Sequence, residues 1–392
     1  MTFNSPRRQF LKVSSAIAGA GILQACTSPQ QPSVKPTSPG KHPQPRPNVA
    51  GASMRLIAPS GFMTTEAQSQ RALTLLTQAG FNLSNQSSLY RRYQRFAGTD
   101  AQRIADLQDI ASGRVKAPDC LMAARGGYGA IRLLPHIDFA KLADKLREQD
   151  TLFIGYSDVT ALQVALFAKG QYMSFAGPMA YSDFGSSNLS IPAMEGFITG
   201  TTEASFTIDV PRIQAQSVRT EGILWGGNLS VLASLAGTEY MPNVPGGILF
   251  LEDTSEQPYR IERMLQTLHL SGALKNQSAI ILGDFNMGKI VDTYDSSYTL
   301  STVAEYISKL TKTPVLTGFP FGHVRNKATF PLGARVQVRD FGSGYQVVFN
   351  DKNMPRLDAK ALNLAALLPP PPEVNVLEMF GGENGLMSED GL

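Results

Sequence analysis

Beyond residue 53 the chain alternates two patterns: short apolar runs, and longer stretches whose apolar positions recur every three or four residues. The runs read as buried strands and the longer stretches as amphipathic helices. Residues 54–58 predict a first strand closed by Pro59-Ser60-Gly61, and 65–79 a helix that stops at Gly80. Gly98-Thr99-Asp100 caps a helix over 101–111, with Ile104, Leu107 and Ile110 on one face. Residues 120–123 predict a buried strand running into Arg125-Gly126-Gly127-Tyr128-Gly129, with a helix through 131–134 beyond. A further apolar run, 152–154, leads through Gly155-Tyr156-Ser157-Asp158 into a helix over 160–167. Alternation of this kind predicts an α/β fold, an open, mostly parallel sheet with flanking helices and ligands at strand C-terminal ends.

The pattern weakens over 186–220, which reads as a linker, and resumes as a smaller C-terminal α/β domain over 221–350. There, 247–251 is a strand ending in Glu252-Asp253, 259–270 an amphipathic helix and 278–282 another strand. Residues 334–341 and 345–349 flank Gly342-Ser343-Gly344, a hairpin signal. The N-terminal domain is then 53–185, and 351–392, with four consecutive prolines at 369–372, reads as a largely disordered tail.

The first 26 residues break the pattern. Arg7-Arg8-Gln9-Phe10-Leu11-Lys12 precedes a modest apolar stretch that ends in Leu23-Gln24-Ala25-Cys26. This reads as a twin-arginine export signal closing on a lipoprotein box, with Cys26 as the lipidated residue and the membrane as a partner. The proline-rich stretch 27–52 reads as an extended tether. Thr27, not an acid, follows the cysteine, which by analogy with bacterial lipoproteins favours the outer membrane. An exported, periplasmic lipoprotein is the expected location.

The formal charge of +3 comes from Arg7, Arg8 and Lys12, so the body carries none and nucleic acid is not an expected partner. Cys120 is the one body cysteine, and the four histidines form neither a tight cluster nor an HExxH pair. No metal and no cofactor are expected.

Ser157 stands where a strand turns sharply into a helix, which lifts a side chain clear beside helix N-terminal amides. A nucleophile needs that setting, and so does an ordinary helix-capping serine. A serine nucleophile also needs a base and a group that orients the base. His323 lies in a Gly/Pro-rich loop, whereas His136 and His269 fall in helix-like segments. Glu252 ends a strand, with Asp253, Glu256 and Glu262 as competitors for the orienting acid. The glycine turn at 126–129 permits close backbone approach to a ligand, and also suits a plain strand-to-helix turn.

Eight short segments occur in a family order. They are Ile57-Ala58-Pro59-Ser60, Phe96-Ala97-Gly98-Thr99-Asp100, Ala124-Arg125-Gly126-Gly127-Tyr128-Gly129, Gly155-Tyr156-Ser157-Asp158, Gly177-Pro178, Gly226-Gly227-Asn228-Leu229, Leu251-Glu252-Asp253 and Gly322-His323. In these the chain resembles the LD-carboxypeptidase family, serine peptidases that include the microcin-immunity peptidases. The resemblance implies Ser157 as nucleophile, Glu252 as orienter and His323 as base. It also implies an oxyanion hole of backbone amides, with Asp158 and the Gly126-Gly127 turn as candidates. Arg125 is a candidate for the substrate carboxylate, or for a bond to nearby carbonyls. The implied substrate is a murein tetrapeptide that loses its terminal D-alanine, and the implied assembly is a homodimer. A peptidyl-nucleotide substrate, as for an immunity peptidase, and a non-catalytic wall-binding lipoprotein stand as alternatives.

Overall fold

The computed structural model describes residues 51–186, 189–211 and 218–368. The expected export signal, Cys26, almost all of the tether and the end of the expected tail lie outside them. The first half of the body gives β1 (Ala52–Ile57), α1 (Glu66–Gln78), β2 (Phe81–Ser84), α2 (Asp100–Ala111) and β3 (Cys120–Ala123). It continues with α3 (Phe139–Glu148), β4 (Leu152–Gly155), α4 (Thr160–Gly170) and β5 (Ser174–Ala176). Then come α5 (Ile191–Thr202), β6 (Phe206–Pro211), β7 (Arg219–Asn228), α6 (Leu229–Leu235), β8 (Ile248–Glu252), α7 (Pro258–Leu270) and β9 (Ala279–Leu282). The last elements are α8 (Leu300–Thr311), β10 (Val315–Leu316), β11 (Phe330–Leu332), β12 (Arg335–Asp340) and β13 (Gly344–Phe349).

Two sheets result, with strand orders β11-β5-β4-β3-β1-β2 and β10-β9-β8-β7-β12-β13-β6. The first is parallel except for β11, which runs antiparallel beside β5. The second is parallel from β10 to β7 and antiparallel beyond. A mixed α/β fold with two sheets and flanking helices is therefore what the alternating pattern encodes. Strand β1 connects outward to β2, while β3 lies on its other side. The crevice of an open sheet forms at such a switch point, here between the ends of β1 and β3.

Strand side chains divide between two cores. Leu121, Ala123 and Phe153 enter one, and Cys120, Met122, Leu152 and Ile154 the other. Burial holds the Cys120 thiol protonated, its pKa pushed well up. Helix α4 is apolar nearly all round, the pattern of a helix enclosed on every side. Its residues 160–166 are all buried, and α4 packs against α3, α6 and β7. It is the helix between the sheets.

Two stretches differ from the sequence expectation. The segment read as a linker contains α5 and β6, and β6 is the edge strand of the second sheet. Helix α5 is short on charge, and Phe197 packs edge to face on Phe184, so tertiary burial, not local amphipathicity, holds it. Residues 351–368, read as the start of a disordered tail, wrap back to the first sheet. Leu357, Leu364 and Leu367 join the core of Leu73, Leu76 and Phe81, and the Asn363 amide donates to Ala79 O at 2.9 Å. Their apolar spacing is too short to register as a periodic element.

Phe330, fully buried on β11, touches Phe250, Phe319, Phe321 and Phe349. It joins the closing strand of the first sheet to the second sheet's core. Phe330→Ala is expected to cost about 3–5 kcal/mol in urea unfolding, because the rings around it cannot collapse into the space. A cost under about 1 kcal/mol would mean that the ring cluster does not hold the two layers together.

Candidate active site

Strand β4 ends at Gly155, and Ser157 opens a single 3-10 turn that runs into α4. Ser157 holds φ at +63°, in the left-handed region that a non-glycine residue rarely adopts. The turn is possible because Gly155 has no side chain. A methyl there would stand 2.8 Å from Val159 Cγ1. The same geometry aims the Ser157 hydroxyl out of the sheet, where it remains partly accessible.

His323 Nε2 lies 3.0 Å from Ser157 Oγ, and His323 Nδ1 lies 2.9 Å from Glu252 Oε2. A carboxylate oxygen accepts, so with the imidazole hydrogen on Nδ1 facing the buried Glu252, Nε2 is left as the acceptor toward the serine. The second Glu252 oxygen accepts from Asn228 Nδ2 at 3.2 Å. The register of β7 on β8 sets Asn228 directly beside Glu252. Such a chain can take a serine proton and stabilise the resulting imidazolium.

Two of the competing acids, Asp253 and Glu256, have other partners, and Glu262 lies within helix α7. Asp253 accepts from the Ser230 amide at 2.9 Å and the Ser230 hydroxyl at 2.6 Å, at the start of α6. Burial raises the Asp253 carboxyl, and the Ser230 hydroxyl and Thr254 amide pull it back. Glu256 pairs with Arg260 at 3.6 Å. His136 and His269 lie in helical segments, and His323 is the histidine that meets Ser157.

Gly126 presses on Ser157. A methyl on it would stand 2.6 Å from Ser157 Oγ and 3.4 Å from the Asp158 amide nitrogen. Gly127, at φ +114°, turns the chain outward beside it. Asp158 was expected to contribute its amide, and its side chain has a separate task. Its carboxylate accepts from Ser60 Oγ at 2.6 Å and the Ala130 amide at 2.8 Å, tying both crevice turns to the serine. Burial raises this carboxyl, and those two donors oppose the rise. Buried Arg103 adds a second tie, donating to Pro59 O and to Gly129 O. Arg125 Nη1 donates to Phe62 O at 3.0 Å.

A buried cluster with no local sequence signal supports the imidazole. Lys327 Nζ lies 2.7 Å from both Tyr156 Oη and Asp183 Oδ1. The Tyr156 ring meets the His323 ring edge-on, with centroids 5.1 Å apart. Burial first, then the Asp183 and Glu252 charges, keep the Tyr156 phenol neutral, its pKa well above the usual value. Lys327 therefore binds the loop that carries His323 to the turn that carries Ser157. Lys327→Met is expected to cost about 3 kcal/mol or more by leaving Asp183 buried without its cation. Adding Asp183→Asn should recover much of that loss in thermal or urea unfolding. Additive losses would show that the two do not form a coupled pair.

Comparison with known proteins follows these elements closely. The family model of the LD-carboxypeptidase N-terminal domain matches residues 54–177, and that of the C-terminal domain matches 221–338. The murein tetrapeptide carboxypeptidase of Pseudomonas aeruginosa is 31% identical over 288 residues, 71% of this chain and 90% of that protein. The crystal structure of muramoyltetrapeptide carboxypeptidase from Oxalobacter formigenes superposes with a TM-score of 0.69 at 37% identity. It covers 76% of this chain and 99% of its own. The microcin C7 self-immunity protein MccF of Escherichia coli is 26% identical, over 74% of this chain and 92% of its own.

Proposed function

The chain belongs to the LD-carboxypeptidase family, and on that premise we propose that it is a serine-type carboxypeptidase releasing terminal D-alanine from murein tetrapeptides. The observation that carries this reading is the hydrogen-bonded line Ser157, His323, Glu252, at 3.0 and 2.9 Å. His323 Nε2 takes the Ser157 proton as Oγ attacks the carbonyl of the L-to-D peptide bond. Glu252 stabilises the imidazolium. The oxyanion faces the Asp158 amide and an amide of the Gly126-Gly127 turn, where no side chain fills the space. Preorganised donors of this kind are worth roughly 10²–10³ in rate each. Collapse of the adduct breaks the C–N bond, and His323 returns its proton to the departing D-alanine nitrogen. Water, deprotonated in turn by His323, then releases the peptide from Ser157. Arg125 uses one of its five N–H donors on Phe62 O, and those remaining suit the substrate's terminal carboxylate.

The self-immunity relative supports a second reading, in which the same serine acts on a peptidyl-nucleotide. Tyr93 and Tyr128, each about half exposed near the glycine turn, offer faces on which a base could stack.

Wild type should release D-alanine from an L-Ala-D-Glu-diaminopimelate-D-Ala peptide, followed by mass spectrometry. Ser157→Ala should lose roughly 10⁴-fold or more in kcat and Glu252→Gln somewhat less, both with the fold intact by circular dichroism. Equal release by Ser157→Ala would remove the serine from the mechanism. Release only from a peptidyl-nucleotide would favour the second reading.

The lipoprotein box supports work outside the cytoplasm, on the wall or on periplasmic fragments, with the protein held through Cys26. In cell fractionation Cys26→Ala should move the protein from membrane to soluble fraction. An unchanged membrane pool would count against lipid anchoring.

A further inference from the structure

Six arginines, one of them the buried Arg103, cluster beside the glycine turn, and only half of them have an acid. Arg91 pairs with Asp106 at 2.6 Å, while Arg103 and Arg132 share Asp100 at 2.5 and 2.7 Å. Arg92, Arg95 and Arg125 make no ion pair among the described residues. Aromatic rings hold them instead. Arg92 lies 4.1 Å above the Phe62 ring, and Arg95 lies 5.3 Å from the Tyr128 ring. Phe62 is the centre of this arrangement. Its carbonyl accepts from Arg125 at 3.0 Å, and its amide donates to Arg95 O at 3.3 Å.

The patch borders the reactive centre. The Gly61 amide donates to Gly126 O at 3.3 Å, and Gly126 is the residue pressed against Ser157. Arg125 adjoins that contact directly, whereas Arg92 and Arg95 are reached through Phe62 and Tyr128, farther out. One guanidinium is enough for the carboxylate of the residue removed. Two more, ordered on rings and left without acids, exceed that need.

We propose that Arg92 and Arg95 form a second carboxylate-binding subsite, which selects peptides carrying free acid groups besides the C-terminal one. This rests on the carboxypeptidase reading above. A guanidinium stacked on a ring loses little further freedom on binding and presents paired N–H donors to a carboxylate. An extended peptide advances about 3.3–3.6 Å per residue, so acid groups on neighbouring stem residues need cations beyond the one that holds the terminal carboxylate. The subsite distinguishes a free-acid stem from an amidated one.

The test uses the full chain carrying Ser157→Ala, so that bound peptide is not turned over. Two peptides are titrated by calorimetry, identical except that the non-terminal carboxylates of one are amides. The acid peptide should bind about tenfold or more tightly, as expected for charge-assisted hydrogen bonds at a partly exposed site. Adding Arg92→Gln and Arg95→Gln should reduce that ratio to about twofold or less. Raising salt to about 0.5 M should also compress the ratio, through screening. No preference in the parent protein overturns the proposal, and so does a preference that survives both substitutions. A merely structural role for the arginines would weaken both peptides alike and leave the ratio intact. D-alanine release by wild type, measured in parallel, separates the two ideas. Release with an unchanged ratio sinks the subsite alone, and a collapsing ratio without release sinks the carboxypeptidase reading alone.

Discussion

The site depends on one buried helix gripped between two sheets. Helix α4 begins three residues after Ser157, and the hydroxyl of its first residue, Thr160, accepts the Asn228 amide at the end of β7 at 3.1 Å. Gly227 makes that approach possible, since a methyl there would stand 2.6 Å from Thr160 Oγ1. Strands from different sheets therefore end against the same helical turn. Ser157 comes from the first sheet, Asn228 and Glu252 from the second, and the turn fixes their separation. The hydrogen bonds through His323 then complete a geometry that packing has already imposed.

Within that frame the acids are divided by the donors each one meets. Glu252, Asp253 and Asp158 are all buried, and each needs hydrogen bonds to remain so. Ser230 and Thr254 satisfy Asp253, which leaves Glu252 as the carboxylate facing the imidazole. Asp158 offsets part of the backbone strain at its neighbour by anchoring the turns on either side of the crevice. A left-handed serine costs on the order of 1–3 kcal/mol and persists because the surroundings over-determine it.

The sequence is legible where an element is regular or a side chain must act from a strand end. The alternating runs at 54–58, 120–123 and 152–154 become β1, β3 and β4, and Thr99 forms the capping box of α2. Ser157 and Glu252 could be singled out because both follow buried runs. His323 had only its loop and a process of comparison with other histidines. Lys327, Tyr156 and Asp183 were not legible, since their bonds join residues far apart and no local pattern records such a cluster. Helix α5 leaves little local signal because its burial is supplied by partners distant in sequence. Residues 351–368 leave little signal for the same reason, their leucines being matched to a surface made by α1 and β2.

Strand β11 has a consequence for how the protein comes into being. It lies beside β5, yet it is made about 150 residues later, after most of the second sheet. The leucines that cover α1 and β2 come later still. During synthesis the first sheet therefore waits with an open edge at β5 and an uncovered apolar face, the state in which sheets are most prone to wrong pairing. Contacts of such long range slow folding and make it cooperative across the whole body. The residues that complete the site and close the first sheet, His323 and β11, lie late in the chain, so the assembled site arrives only with its last part.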